Sequence, residues 1–299
     1  MLDLTIAIPV FNEEKNIAKC LNAIGSDLAS QVVLIDSGST DHTVAIARAH
    51  GAEVINFVWD GQFPKKRNWF LQTHTPTTKW VMFLDADEFL TEEFKHELCE
   101  TLTRQDETVG YWLRYTVYFL GKQNKGGYFL HKLALFKVGA GEYERIDESQ
   151  WSNLDMEIHE HPVLSGKIGT IRSKIDHQDL RGVSYYITKH NEYSTWEAHR
   201  YLKLTSDTRT TQQWSRMQKI KYGLIRTPLL GPIYFFGSFF MMGGFRDGSR
   251  GFAFAVLKMA YFIQVYLKIK ELTGDEHKVR IAQPILQKHS EPITDIQSA

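Results

Sequence analysis

Residues 80–88 read Trp-Val-Met-Phe-Leu-Asp-Ala-Asp-Glu, an apolar run that ends abruptly in the carboxylates Asp85, Asp87 and Glu88. Such a run reads as a strand buried on both faces, which calls for a sheet covered by helices on either side. The strand cannot bury three acids, so they emerge at its carboxyl end. In an open α/β sheet that edge is where ligands sit. On an extended chain Asp85 and Asp87 project to the same side. Two hard oxygen ligands held in that way suit Mg²⁺ or Mn²⁺ carrying a diphosphate. The plainer reading is a strand closed by a polar turn.

The first hundred residues repeat this strand–helix alternation. Leu4 to Val10 is an apolar strand, and Asn12 is placed to cap a helix in which Ile17, Leu21 and Ile24 recur at helical spacing. Val32 to Ile35 is a second strand, followed by a helix from Thr43 to His50 that Gly51 stops. Val54 to Phe57, a helix over 65–73 opened by Pro64, and Val81 to Leu84 continue the pattern. A βαβαβαβ order predicts a parallel sheet flanked by helices, with a nucleotide site at the strand ends. The expected organisation is an α/β catalytic domain over 1–195 and a helical extension over 196–299.

Composition excludes little. Lys plus Arg equals Asp plus Glu at 35 each, so no net positive charge points to nucleic acid. The two cysteines, Cys20 and Cys99, fall within helical patterns and read as small core residues of a reducing compartment. The N-terminus runs straight into a strand, without the basic and apolar regions of a secretory leader.

Three motifs carry the chemistry. Ile8-Pro9-Val10-Phe11-Asn12-Glu13-Glu14 closes the first strand, and Asp36-Ser37-Gly38-Ser39-Thr40-Asp41 closes the second. An acid after a second strand can accept hydrogen bonds from a base or ribose, while Asp41 or Thr40 serves the next helix as a cap. Neither loop has a Gly-rich dinucleotide fingerprint or a phosphate-cradling P-loop. A diphosphate must then be neutralised by a metal and by side chains, with Lys65, Lys66 and Arg67 as candidates. Of these, Lys65 reads best as part of a solvated helix face.

These two motifs, with the Asp85-Ala86-Asp87 box in the same order and spacing, resemble the family 2 glycosyltransferases of GT-A fold over roughly residues 3–165. Lys66-Arg67-Asn68, His159-Glu160 and Lys189-His190-Asn191-Glu192-Tyr193-Ser194 resemble the branch that builds lipopolysaccharide and lipooligosaccharide cores, which includes β-1,4-glucosyltransferase-like proteins. The resemblance implies a UDP-sugar donor, a divalent metal, and inverting transfer of a hexose, glucose being the expected one, to a lipopolysaccharide-core, lipid-linked or other surface-glycan acceptor. It implies that Pro9 and Glu13 line the uracil and ribose pocket, that Asp36 recognises the nucleoside, and that Arg67 and Asn68 lie near the donor. Asp85 would sit near the ribose and a metal-bound water. Asp87 would ligate the metal directly, and His177 is the candidate further ligand.

Inverting transfer needs a general base for the acceptor hydroxyl. Met156-Glu157-Ile158-His159-Glu160-His161-Pro162 is the other dense cluster of acids and imidazoles, and it lacks the helical zinc pattern His-Glu-x-x-His. The resemblance points to Glu160 as the base, with Glu157 second. A sugar-nucleotide nucleotidyltransferase would carry a Gly-rich basic loop where Phe11-Asn12-Glu13-Glu14 stands. A membrane-associated scaffold that had lost catalysis would have no need of an intact acid box.

The C-terminal third changes character. Residues 200–226 hold seven Lys or Arg against the single acid Asp207, and residues 227–245 carry no charge. Residues 252–267 are again apolar except for Lys258. Prolines and glycines break the first apolar run, so a straight spanning helix is not expected there. Basic and aromatic stretches side by side fit a protein lying on an anionic leaflet. The expected location is cytoplasmic, peripheral on the inner face of the cytoplasmic membrane. The other reading packs these segments on the sheet.

Overall fold

The computed structural model describes residues 1–104, 106–145, 161–179, 181–206 and 216–274. The strands are β1 (Leu2–Val10), β2 (Ala29–Asp36), β3 (Glu53–Asn56), β4 (Trp80–Phe83), β5 (Glu88–Phe89), β6 (Thr108–Phe119), β7 (Lys122–Gln123), β8 (Leu130–Lys137), β9 (Gly141–Tyr143), β10 (Pro162–Leu164) and β11 (Lys167–His177). The helices are α1 (Ile17–Ile24), α2 (Thr43–Ala49), α3 (Lys66–Thr73), α4 (Glu92–Thr103), α5 (Gly182–Ser206), α6 (Arg216–Leu224), α7 (Leu230–Phe236) and α8 (Gly248–Thr273). A π-helical turn (Gly237–Met241) and a 3₁₀ turn (Gly244–Asp247) join α7 to α8.

The main sheet runs β3-β2-β1-β4-β8-β6-β11-β5, with β7 paired to β6. The first four strands are parallel, as the sequence alternation requires. Beyond them β8 is antiparallel to both neighbours, β6 and β11 are parallel to each other, and β5 is antiparallel to β11. The fold is thus α/β, a mostly parallel sheet with flanking helices and a helical C-terminal extension.

Side-chain alternation explains the layers. Leu4, Ile6, Ile8 and Val10 of β1 and Trp80 and Met82 of β4 face one core, against Ile17, Cys20, Leu21 and Ile24 of α1 and Phe94 and Leu98 of α4. Ala7, Val33, Ile35, Val81 and Phe83 face the other, against Phe70 and Leu71 of α3. Both sheet faces are therefore buried, which fixes the register because a one-residue slip would exchange the two cores. Cys20 is fully buried and Cys99 is partly so; both are free thiols. A third core, with Ala198, Tyr201, Tyr222, Ile225, Leu230, Phe262 and Val265, joins the C-terminal helices.

Strand order reverses between β1 and β4. Their pairing stops at Ala7 and Phe83, and β1 continues alongside β2 alone to Val10 and Asp36. Pro9 lies in this forked stretch, where the sheet tolerates a residue that cannot donate. The fork opens at the carboxyl edge, the switch point where ligands bind in such sheets.

Asn12 does not cap α1. It adopts a left-handed conformation (φ 54°), and the residue preceding the helix is Asn16, whose side chain makes no capping bond. The Asn12 amide is used across the loop instead: its Oδ1 accepts from Thr40 N at 2.8 Å, and its own N donates to Ser39 Oγ at 2.9 Å.

Candidate active site

The first two motifs build one another. Asp36, almost fully buried at the end of β2, accepts from the backbone N–H groups of Gly38 and Ser39 and from Ser39 Oγ. Glu13 N donates to Thr43 Oγ1 and Glu14 N to Asp41 Oδ2. Asp41 also accepts from Thr43 N at the start of α2, although the residue in the cap position is His42, one further on than the sequence suggested. The spacing of these motifs therefore serves loop architecture first. Asp36 holds its own loop closed, while Phe11 stands 56% exposed at the mouth.

The acid box departs from the extended geometry expected of it. β4 ends at Phe83, and residues 85–88 form a turn in which Glu88 N donates to Asp85 O at 2.9 Å. The Glu88 carboxylate reaches back to accept from Asp85 N at 3.0 Å. Asp85 and Asp87 consequently turn to different partners rather than to one side.

Asp85 meets two cations. Arg67 Nη2 donates to Oδ1 at 3.0 Å and Lys132 Nζ to Oδ2 at 2.6 Å. Burial opposes its ionisation, but Lys132 and Arg67 outweigh burial and hold the carboxyl well below its usual range. Lys132 also pairs with Glu88. Glu88 is only 1% exposed, and burial pushes its carboxyl up to about 7 even with Lys132 opposing. Burial would lower Lys132 too, yet Asp85 and Glu88 raise it well above the ordinary lysine value.

Asp87 faces the other way. Its Oδ1 lies 3.6 Å from His177 Nε2, at the end of β11, and its Oδ2 accepts from Arg181 Nη2 at 2.9 Å. Arg181 also reaches Glu13 Oε1 at 3.2 Å and Asp179 Oδ1 at 2.7 Å, so three acids from three segments converge on one guanidinium. Burial lowers the His177 pKa despite Asp87, which leaves a neutral imidazole at neutral pH. Burial likewise raises Glu13, against the pull of Asn16 and Arg181.

The structure thus brings Glu13, Asp85, Asp87, His177 and Arg67 to one edge of the sheet. It places Asn68 behind that edge. Asn68 is fully buried, and its amide is occupied by the Tyr143 backbone, Nδ2 to O at 3.0 Å and Oδ1 from N at 2.9 Å. It anchors α3 to β9. Lys65 and Lys66 are also buried, so the solvated face expected at Lys65 is absent. Lys66 Nζ lies 3.4 Å from Val10 O in the fork between β1 and β4. Glu157 and Glu160 lie outside the described residues.

Sequence reasoning missed Lys132 and Arg181. The signal for Lys132 was a lysine two residues into Leu-His-Lys-Leu-Ala-Leu-Phe-Lys, a strand otherwise buried along its second half. Arg181 gave no comparable signal, because only the fold carries residues 177–181 back to Asp87 and Glu13.

Among the described residues, no three His, Cys, Asp or Glu side chains cluster closely enough to hold a metal by themselves. Small divalent cations do not require such a cage. Mg²⁺ is commonly held by one or two carboxylates together with substrate phosphates and water. Asp87 and His177 offer a hard oxygen and a neutral nitrogen facing each other at 3.6 Å, a donor set that fits Mg²⁺ or Mn²⁺.

Residues 5–147 match the family described as Glycosyl transferase family 2. Those residues are a family 2 glycosyltransferase domain. The match spans β1 to β9, both loop motifs and the acid box described above, and ends before β10, β11 and His177. Over 280 residues the chain is 29% identical to the lipopolysaccharide core biosynthesis glycosyltransferase LpsC of Rhizobium meliloti strain 1021, covering 90% of this chain and 92% of that one. It is 25% identical over 284 residues to an uncharacterized glycosyltransferase of Rickettsia conorii, covering 90% and 93%. Glucosyl-3-phosphoglycerate synthase from Mycobacterium tuberculosis, solved with Mn²⁺, UDP and glucosyl-3-phosphoglycerate, overlaps 40% of this chain and 44% of its own at 24% identity and a TM-score of 0.30. The chain is a glycosyltransferase, and its similarity to LpsC covers more than the residues of the family match.

Proposed function

We propose that this glycosyltransferase moves a hexose from a UDP-sugar to a lipopolysaccharide-core or related glycolipid acceptor, with inversion at the anomeric carbon. The observation that carries the reading is the pairing of Asp87 with His177, at 3.6 Å, beside the Arg67–Asp85–Lys132 network at the switch point of the sheet. Asp87 and His177 are the residues that would hold Mg²⁺ or Mn²⁺. When bound, the metal supplies positive charge against the leaving diphosphate.

The chain's own groups do the rest. Arg67 and Lys132 fix the Asp85 carboxylate in its ionised form, ready to accept from the donor's ribose or from water. Pro9 and Glu13, at the fork and the loop beyond it, border the nucleoside pocket, and Asp36 shapes its floor through its own loop. Arg181 carries a permanent charge at the mouth and can exchange carboxylates for diphosphate oxygens. Glu160 is proposed as the base that takes the acceptor proton, with Glu157 second.

The C-terminal helices are proposed as a separate membrane-facing unit over residues 196–299. Phe236 and Phe240 stack at 5.9 Å, and with Ile233, Met241 and Phe245 they leave an apolar ridge about half exposed or more. The exposed Arg226 precedes the ridge. Two basic residues of the 200–226 stretch do not serve this surface: Arg200 pairs with Glu144 at 2.9 Å and Lys221 with Glu197 at 2.7 Å. Among the described residues one helical stretch, Gly244–Thr273, is long and apolar enough to cross a membrane by length and composition. Phe254, Ala255, Phe262, Val265 and Ile269 of that stretch are buried inside the protein, which favours a helix lying at the interface over one that crosses it; the face proposed is the cytoplasmic one.

A panel of UDP-sugars tests the catalytic reading. One should be hydrolysed slowly without acceptor and consumed faster with core oligosaccharide. Glu160→Gln should abolish the acceptor-dependent rate while donor binding stays close to wild type. Acceptor-dependent transfer by Glu160→Gln together with a dead Glu157→Gln would exchange the two roles, and no turnover with any UDP-sugar would overturn the donor assignment.

A further inference from the structure

Helix α8 presents an inward stripe at positions 254, 258, 261 and 265, the i, i+4, i+7, i+11 spacing of a buried face. Phe254 is 4% exposed and Val265 is fully buried, and Tyr261 between them is partly buried. Position 258 breaks the pattern with a lysine. A cation on such a face is ordinarily matched by a carboxylate. Lys258 has none among the described residues. Its Nζ instead lies 4.2 Å from the ring centre of Tyr128 and 5.4 Å from that of Phe254. Those two faces attract a cation, but they leave the ammonium protons without an acceptor. Burial alone lowers this lysine to about 8.

The surroundings are built and polar at one point. Tyr186 of α5 and Tyr128 each stand 6.4 Å from Phe254, ring to ring, so Tyr186, Tyr128 and Lys258 are all neighbours of that ring. The Tyr186 hydroxyl is buried without a hydrogen-bond partner. An orphaned buried hydroxyl and an unmatched half-buried ammonium, both beside Phe254, are two costs that one bound anion would remove.

The place adjoins the transfer site. Tyr128 precedes Lys132, the counter-ion of Asp85, by four residues of extended chain, at most about 14 Å. The loop carrying Tyr128 is also fastened to the start of α8. Arg250 donates to Phe119, Lys122 and Gln123 carbonyls, Lys125 N donates to Asp247 Oδ2 at 2.8 Å, and Ser238 Oγ donates to Gly127 O at 2.6 Å. Lys258 is therefore held in fixed relation to the sheet.

We propose that Lys258, with the Tyr186 hydroxyl, binds a phosphate or carboxylate group carried by the acceptor saccharide. This rests on the glycosyl-transfer reading and adds a requirement to it: the acceptor is anionic, and its charge docks on the C-terminal helices while its hydroxyl meets the donor.

Binding of glucose, glucose 6-phosphate, glucuronate and inorganic phosphate, each measured by titration in the presence of UDP and Mn²⁺, tests the proposal. The wild-type chain should bind at least one anionic sugar about tenfold more tightly than glucose, the gain from one charge-assisted contact. The two anionic sugars separate phosphate from carboxylate, and inorganic phosphate shows whether the charge alone suffices. Lys258→Met should lose the preference, and Lys258→Arg should keep it, with UDP affinity unchanged in both. Lys258→Gln provides the same reading should Lys258→Met melt early. No preference in the wild type, or a preference that survives Lys258→Met or Lys258→Gln, overturns the proposal. Failure of UDP to bind while the Lys258-dependent preference persists would instead count against the donor assignment alone.

Discussion

Glu88→Gln gives a prediction whose size follows from the structure. Glu88 is buried, and its carboxyl stands at about 7 against an ordinary 4.5. Between those two values the folded chain holds a proton on Glu88 that the unfolded chain has released. Stability contributed by this group is therefore complete below pH 4.5 and is lost as pH rises toward 7. At about 1.4 kcal/mol per pH unit, the shift corresponds to about 3 kcal/mol. Glutamine keeps the shape and cannot ionise, so the variant should lack this loss. Urea unfolding followed by tryptophan fluorescence from pH 4 to 9 measures it. The difference between wild type and variant should change by about 3 kcal/mol between pH 4.5 and 7 and level off above. Lys132→Met should extend the decline beyond pH 7, because the lysine is what lets Glu88 ionise there. A wild-type-minus-variant difference independent of pH would refute the reasoning.

Other expectations follow from the same network. Asp87→Asn should unfold like wild type yet lose at least about 100-fold in turnover at saturating Mn²⁺, as when a group stabilising transition-state charge is removed; near-normal turnover would dismiss the metal assignment. Asn68→Ala should destabilise by about 1–3 kcal/mol, since it orphans the buried Tyr143 backbone groups, and calorimetric UDP affinity should stay unchanged. Changing Phe236 and Phe240 to Ser should weaken sedimentation with anionic vesicles at high salt, where the basic residues contribute least. Equal binding by that variant would place the ridge away from lipid.

Much of the fold was legible because its first half obeys simple periodicities. Leu4 to Val10, Val32 to Ile35 and Val81 to Leu84 alternate between two cores, and the helices between them repeat at helical spacing. The second half of the sheet was not legible. β8 and β6 pair antiparallel while β6 and β11 pair parallel, and their register is set by contacts between residues up to 60 positions apart. The site divides in the same way. Asp87 and His177 could be named from the motif and a loop histidine. Their meeting depends on β11 pairing with β5, where His177 stands opposite Glu88. The extended-strand argument for Asp85 and Asp87 failed because β4 ends at Phe83 and a turn held by Glu88 follows. Arg67 and Asn68 stand side by side in the sequence, but adjacent helical positions point about 100° apart, so Arg67 meets Asp85 and Asn68 meets the Tyr143 backbone.

The central claim is that the edge formed by Asp85, Asp87 and His177 binds a UDP-sugar through a divalent cation. Titration of UDP with and without Mn²⁺ tests it most directly, with His177→Ala measured alongside. The account predicts UDP binding that strengthens at least about tenfold with Mn²⁺ and loses most of that gain in His177→Ala. UDP binding of equal strength with and without Mn²⁺, or a full Mn²⁺ effect in His177→Ala, would contradict it.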